Sequence, residues 1–158
     1  MSYINPLMRR GLTETLKKFR TEGIQGVIIP DLPLDADEIY GLCKGVGIDL
    51  IRLVAPTTPQ ERQKEVVSQC SGFVYAVTVK GVTGARASLP AEVRQQVLSI
   101  KAMTDLPVCV GFGVSDRDQV TGLLEFSDGV IVGSHLMAKV MEAKDPIEGA
   151  RQAFAGLM

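Results

Sequence analysis

The sequence predicts an α/β fold of parallel strands, each followed by a helix, and more narrowly part of a (β/α)8, or TIM, barrel. Three observations carry that reading. Five short Val- and Ile-rich runs, at residues 26–30, 50–55, 72–79, 107–111 and 129–132, are almost continuously apolar. Such runs mark strands buried on both faces, as in a parallel sheet covered by helices. Their centres, Ile28, Ile51, Val74, Cys109 and Ile131, fall 23, 23, 35 and 22 residues apart, the spacing of a strand–helix repeat. The last two runs end in Val-Gly-Phe-Gly-Val-Ser (110–115) and Val-Gly-Ser (132–134), where a barrel places its phosphate-binding loops.

The elements follow in order. Met8, Leu12, Leu16 and Phe19 recur at helical spacing, and Ile39, Leu42, Cys43 and Val46 do so after the first strand. Val93, Val97 and Ile100 form the next stripe, then Val120, Leu123 and Leu124. Helix starts are marked by Asp35 with Glu38, by Thr58 with Pro59 and Glu61, and by Asp145 with Pro146 and Glu148. Ser115 with Asp118 is a weaker instance of the same pattern. Residues 134–143 form a short helix ahead of the separately capped one from Asp145, the extra helix that such barrels use to hold phosphate. The one long connection, residues 80–90, contains Gly81, Thr83, Gly84 and Arg86. A loop of that kind is either a lid over a site or a surface excursion.

With 158 residues, 46% of them hydrophobic, the chain can bury roughly 68–70% of its unfolded surface and reads as one domain. The net charge of −1 is spread along the chain, which argues against nucleic acid and anionic membranes as partners. No apolar run approaches the ~18–20 residues of a membrane span. Cys43, Cys70 and Cys109 stand singly, without metal-ligand spacing or a disulfide framework, so a cytoplasmic protein without a metal site is expected.

A phosphate needs backbone N–H groups converging where no Cβ obstructs, at the positive end of a helix dipole. Gly113, Gly133 and Ser134 meet that requirement; singly, each glycine is equally a tight turn. Tyr75 and Phe112 are placed to stack on a flat substrate or to fill core.

Six strings closely resemble the tryptophan synthase alpha subunit family: Ile-Pro-Asp-Leu-Pro (29–33), Leu-Val-Ala-Pro-Thr-Thr-Pro (53–59), Gly-Phe-Val-Tyr (72–75), Gly-Val-Thr-Gly-Ala-Arg (81–86), Val-Gly-Phe-Gly-Val-Ser (110–115) and Val-Gly-Ser (132–134). The resemblance implies a retro-aldol lyase that splits indole-3-glycerol phosphate into indole and glyceraldehyde 3-phosphate. It implies no cofactor on this chain, since pyridoxal phosphate (PLP) belongs to the beta-subunit partner that receives the indole. It places Gly84, Gly113, Gly133 and Ser134 at the substrate phosphate, Tyr75 and Phe112 in the indole and substrate pocket, and Thr83 on the closing loop. Tyr3, Asn5 and Pro6 match the loop that contacts the beta subunit.

The family's two catalytic acids, a Glu on its second strand and an Asp on the following loop, match nothing in this chain, whose first residues align with the end of the third strand. Barrels of about 250 residues, rarely below ~200, agree with a C-terminal portion lacking its first strands. No catalytic residue is therefore assigned here. Asp31 reads as orienting or capping a loop, and His135 stands where the family has a small residue. Open sheet edges at residues 26–30 and 129–132 imply self-association or pairing with another segment. A non-catalytic module that binds phosphate or the beta subunit, and other phosphate-handling barrels, are the alternative readings.

Overall fold

The computed structural model describes residues 1–78, 91–111 and 113–158. The chain opens with a one-turn helix, α1 (Ile4–Met8), and turns at residues 9–11 into α2 (Leu12–Thr21). Met8 therefore does not continue the stripe of Leu12 and Leu16; it ends α1 exposed, while Leu12 and Leu16 are buried.

β1 (Gly26–Ile28) leads through residues 29–36 to α3 (Asp37–Val46) and then β2 (Asp49–Ile51) and β3 (Leu53–Val54). There follow α4 (Gln60–Ser68), β4 (Val74–Val77), α5 (Ala91–Lys101), β5 (Val108–Gly111), α6 (Arg117–Leu124) and β6 (Gly129–Ile131). Two further helices, α7 (Ser134–Glu142) and α8 (Pro146–Ala155), close the described chain.

Every strand pair is parallel. β1 pairs with β2, and β3, β4, β5 and β6 pair in sequence order, with Tyr75 opposite Cys109 and Gly111 opposite Ile131. The run expected as one strand at residues 50–55 appears as β2 and β3, divided at Arg52. Side chains take over the ladder at the break. The Leu50 N–H donates to the Ser71 hydroxyl at 2.9 Å and the Arg52 N–H to the Cys70 sulfur at 3.3 Å. Main-chain pairing resumes where the Tyr75 N–H donates to the Arg52 carbonyl at 3.0 Å.

One face of β3–β6 is closed by helices. Val54, Val74, Ala76, Val108 and Val110 pack with Val66 and Val67 of α4, Val93, Val97 and Ile100 of α5, and Leu123 of α6. A second cluster joins Leu7, Leu16, Val27, Cys43 and Leu50 across α1–α3, β1 and β2. Fully burying an aliphatic side chain of this size contributes about 1.5–3 kcal/mol, so these clusters hold helices to strands. On the other face Tyr75 is buried, but Leu53, Val77 and Cys109 are only half-buried, as is the whole of β6. The expectation of strands buried on both faces thus holds for one face of this array. Leu124 also turns out half-exposed at the end of α6.

Helix starts follow local hydrogen bonds. Asp145 caps α8 as expected, accepting from the Ile147 N–H at 2.9 Å. In α6 the cap is Asp116, not Ser115: its carboxylate accepts from the Gln119 N–H, and the Gln119 side chain accepts from the Ser115 N–H, each at 2.9 Å. Asp35 and Thr58 cap nothing; the N-cap positions of α3 and α4 are Ala36 and Pro59. Thr58 instead closes a loop, its hydroxyl accepting from the Ala55 N–H at 3.1 Å.

At the strands' N-terminal end, Asp128 ties three elements. One oxygen is 2.6 Å from the Lys101 ammonium at the end of α5, and the other accepts from the Val108 N–H at 2.9 Å where β5 begins. The opposite end of the sheet is left for loops. No helix among the described residues is long and apolar enough to cross a membrane.

Candidate functional site

Parallel pairing sends every βα loop to one end of the sheet. Because Gly111 and Ile131 are register partners, Gly113 and Gly133 each come two residues after the last paired position of neighbouring strands. The structure therefore brings together the two glycine turns that the sequence singled out.

Each turn has its own local cause. Gly113 has φ +76°, a left-handed conformation that L side chains adopt rarely, and a Cβ there would meet nothing within 4 Å. Gly133 is the N-cap of α7 and Ser134 its first residue, and the Met137 N–H donates to the Gly133 carbonyl at 3.0 Å as the helix begins. A Cβ on Gly133 would also meet nothing within 4 Å. Among the described residues nothing fills the space beside either backbone. The first N–H groups of α7 have no intrahelical acceptors and carry the positive end of the helix dipole. The arrangement suits an anion.

Tyr75 approaches the same end from β4. It is 8% exposed, and its hydroxyl lies 2.8 Å from where a Gly111 Cβ would stand. From the face opposite the helices it leans across β5 toward the glycine end. Burial pushes its phenol above the ordinary tyrosine range, so it is a neutral hydroxyl at physiological pH. Thr83, Gly84 and Phe112 lie outside the described residues.

At the other edge of the array Asp31 accepts from the Ile4 N–H at 2.9 Å, with Tyr3, Asn5 and Pro6 exposed on either side of that bond. His135 is half-buried in the first turn of α7. Among the described residues no group of three or more His, Cys, Asp or Glu side chains is placed to hold a metal ion.

Arg52 is a residue that sequence reasoning passed over. It is 5% exposed, and one guanidinium nitrogen donates to the Leu32 carbonyl at 3.2 Å and the Pro33 carbonyl at 3.0 Å. Desolvation is the main cause that lowers its pKa. A cation inside an aliphatic run was the available signal. It braces the loop that carries Asp31. From α5, the Gln96 amide donates to the Val54 carbonyl at 3.1 Å, fixing the end of β3.

An open cleft of about 500 Å³ lies elsewhere, between the start of α3 and α4, lined by Asp35, Asp37, Arg62 and Glu65. It is on the helix side and holds none of the strand-end residues.

Comparison with known proteins places the chain in a family. A family model described as tryptophan synthase alpha chain matches residues 1–157. A tryptophan synthase alpha chain from Methanocaldococcus jannaschii is 46% identical over 143 residues, 90% of this chain and 50% of the relative. One from Carboxydothermus hydrogenoformans is 50% identical over 138 residues, 87% of this chain and 52% of the relative. The chain thus spans about half the length of these curated relatives. Among solved structures, the tryptophan synthase a2b2 complex from Pyrococcus furiosus contains a chain that superposes with a TM-score of 0.88 at 35% identity, over 98% of this chain and 64% of that one. The P. furiosus A-subunit superposes with a TM-score of 0.86 at 33% identity. The chain belongs to the tryptophan synthase alpha chain family.

Proposed function

We propose that these 158 residues form one domain of a (β/α)8 barrel, supplying the phosphate- and substrate-binding half of an indole-3-glycerol phosphate lyase in the cytoplasm. The observation that supports this most strongly is the Gly111–Ile131 register, which sets Gly113 beside Gly133 and Ser134 at the start of α7. Backbone N–H groups there receive the phosphate, joined by Gly84 from the long loop. Tyr75 and Phe112 hold the indole ring, and Thr83 belongs to the loop that closes over it.

The reaction breaks the bond between indole C3 and the glyceryl chain. A general acid protonates C3 while a base removes the proton of the glyceryl hydroxyl, which leaves as the aldehyde of glyceraldehyde 3-phosphate. Carboxylates with separated pKa values suit these two tasks. On this reading they lie on a strand and its following loop that match nothing in these 158 residues, and no residue here performs either step. The chain carries no cofactor of its own. Its partner is the PLP-dependent beta subunit, met through Tyr3, Asn5 and Pro6; the a2b2 assembly of the P. furiosus relative supports that reading.

An assay of indole released from indole-3-glycerol phosphate by the isolated chain tests the assignment of the acids. No release above the uncatalysed rate is expected. Sustained turnover would show that the acids are within these residues. A second reading, a non-catalytic module that stimulates the beta subunit, is favoured by the exposure of Tyr3, Asn5 and Pro6; it predicts faster beta-subunit turnover with no lyase activity. Self-association is supported by the place of β6 at the edge of the sheet among the described residues and by the exposed Met137, Met141, Ile147 and Phe154 of the helices beyond it, and gel filtration reads it directly.

A further inference from the structure

Helix α1 cannot hold its own shape. Five residues are far below the length at which a helix is stable alone, and its N-cap residue, Tyr3, makes no capping side-chain bond. Tertiary contacts hold it instead. Leu7 is buried in the second core cluster, and the Ser2 N–H donates to the Ile28 carbonyl at 3.1 Å, beside β1. The first helical N–H, that of Ile4, donates to the Asp31 carboxylate at 2.9 Å across 27 residues of sequence. That carboxylate also faces the positive end of the small helix.

Asp31 sits on an exposed loop, yet the loop is fixed from below. The Leu32 N–H donates to the Ile29 carbonyl at 3.2 Å, the Leu32 side chain is buried, and the Arg52 guanidinium takes the Leu32 and Pro33 carbonyls. A buried cation, a braced loop and a carboxylate thus end on one N–H, that of Ile4. Tyr3, 65% exposed, lies immediately before it, and Asn5 and Pro6 immediately after. Aromatic side chains held rigidly at a surface are the usual anchors of protein interfaces.

We propose that Asp31 is a positioning residue for a protein-binding surface: it presents Tyr3, Asn5 and Pro6 to a folded partner by holding the Ile4 N–H, and Arg52 keeps Asp31 in place. The inference rests on the reading of the beta subunit as that partner. It gives Asp31 no role in chemistry.

Calorimetric titration of the whole chain with purified beta subunit tests it, using Asp31→Ala, Asp31→Asn and Ile4→Pro. Proline suits the first helical position, and Tyr3 at φ −70° and ψ 157° already has the conformation preferred before proline, so Ile4→Pro removes the donor while keeping the backbone of the turn. It also trims the Ile4 side chain packed on the second cluster, a loss that Ile4→Val measures separately with the N–H kept. Asp31→Ala and Ile4→Pro should each weaken binding about three- to tenfold, the worth of one hydrogen bond. Asp31→Asn keeps an oxygen acceptor and should restore most of the affinity, which a loss of fold would not do. Exchange of the Arg9 amide, which donates to the Asn5 carbonyl inside α1, should quicken in Asp31→Ala and not in Asp31→Asn. If Asp31→Ala does not fold, Ile4→Pro decides. Wild-type affinity in both Asp31→Ala and Ile4→Pro would overturn the inference while leaving the partner reading intact. No binding by the wild-type chain would overturn the partner reading, and this inference with it.

Discussion

The Tyr75 hydroxyl lies 2.8 Å from the position a Cβ on Gly111 would take, and the Ile131 Cβ and carbonyl oxygen crowd the same point at 2.8 Å each. Gly111 is therefore the residue on which β4, β5 and β6 close together, two positions before the turn at Gly113. The tyrosine can swing away from an added methyl; the Ile131 carbonyl cannot move without disturbing β6. Gly111→Ala should cost about 1–3 kcal/mol, as overpacking does. Urea unfolding of the variant measures it, and an unchanged midpoint would mean that the strands are not so closely apposed.

Gly133→Ala separates binding from stability. Its Cβ would meet no described residue within 4 Å and its φ of −115° suits any residue, so the fold loses at most about 1 kcal/mol through a poorer helix cap. Under the proposed function, the same Cβ would stand where the phosphate approaches the first N–H groups of α7. Affinity for glyceraldehyde 3-phosphate should fall about tenfold, roughly the worth of one charge-assisted hydrogen bond. Gly113→Ala should lower both quantities, because its φ of +76° adds about 1–2 kcal/mol of backbone strain. Thermal melts and calorimetric titrations of the two variants side by side check the contrast.

Acid sensitivity should pass through Asp128. The Lys101 ammonium first, and then the Val108 N–H, hold its carboxyl below the ordinary aspartate range. A folded-state pKa below the unfolded value of about 3.9 gives stability that is complete at neutral pH and is lost as pH falls below about 4. The pair is more than a third exposed, so the effect is modest and weakens with salt. Asp128→Asn should lower the melting temperature at pH 7 and shrink the difference between pH 7 and pH 3. An equal drop at both pH values would contradict this.

Burial pushes the Cys43 and Cys70 thiols up to about 11, so very little thiolate exists at pH 8. Both should resist a thiol reagent until the chain unfolds. Cys109, raised as well but half-buried on the less covered face, should react first. Peptide mapping after brief labelling gives the order, and early modification of Cys43 or Cys70 would contradict it.

Much of this arrangement is legible in the sequence, and what is not has particular causes. The strand centres and the split between α7 and α8 follow from apolar periodicity and from Asp145, whose cap is local. Asp116 displaces Ser115 as a cap because Gln119 reaches back to complete the reciprocal pair, a choice between two adjacent polar residues that spacing alone does not make. Met8 shares the spacing of Leu12 and Leu16, yet the turn at residues 9–11 rotates it out of register. Arg52 was the hardest to foresee. A charged residue within a strand gains meaning only from the Leu32 and Pro33 carbonyls, which are distant in sequence. The glycine turns at Gly113 and Gly133 were readable because they follow adjacent strands; the cap that Asp31 makes on α1 needed the fold.

Binding without turnover is the central claim, and calorimetric titration of the isolated chain with indole-3-glycerol phosphate, with indole measured in the same cell afterwards, tests it most directly. Saturable heat that Gly133→Ala diminishes, with no indole formed, is the expected result. Absence of saturable heat, or indole accumulating in step with added chain, would contradict it.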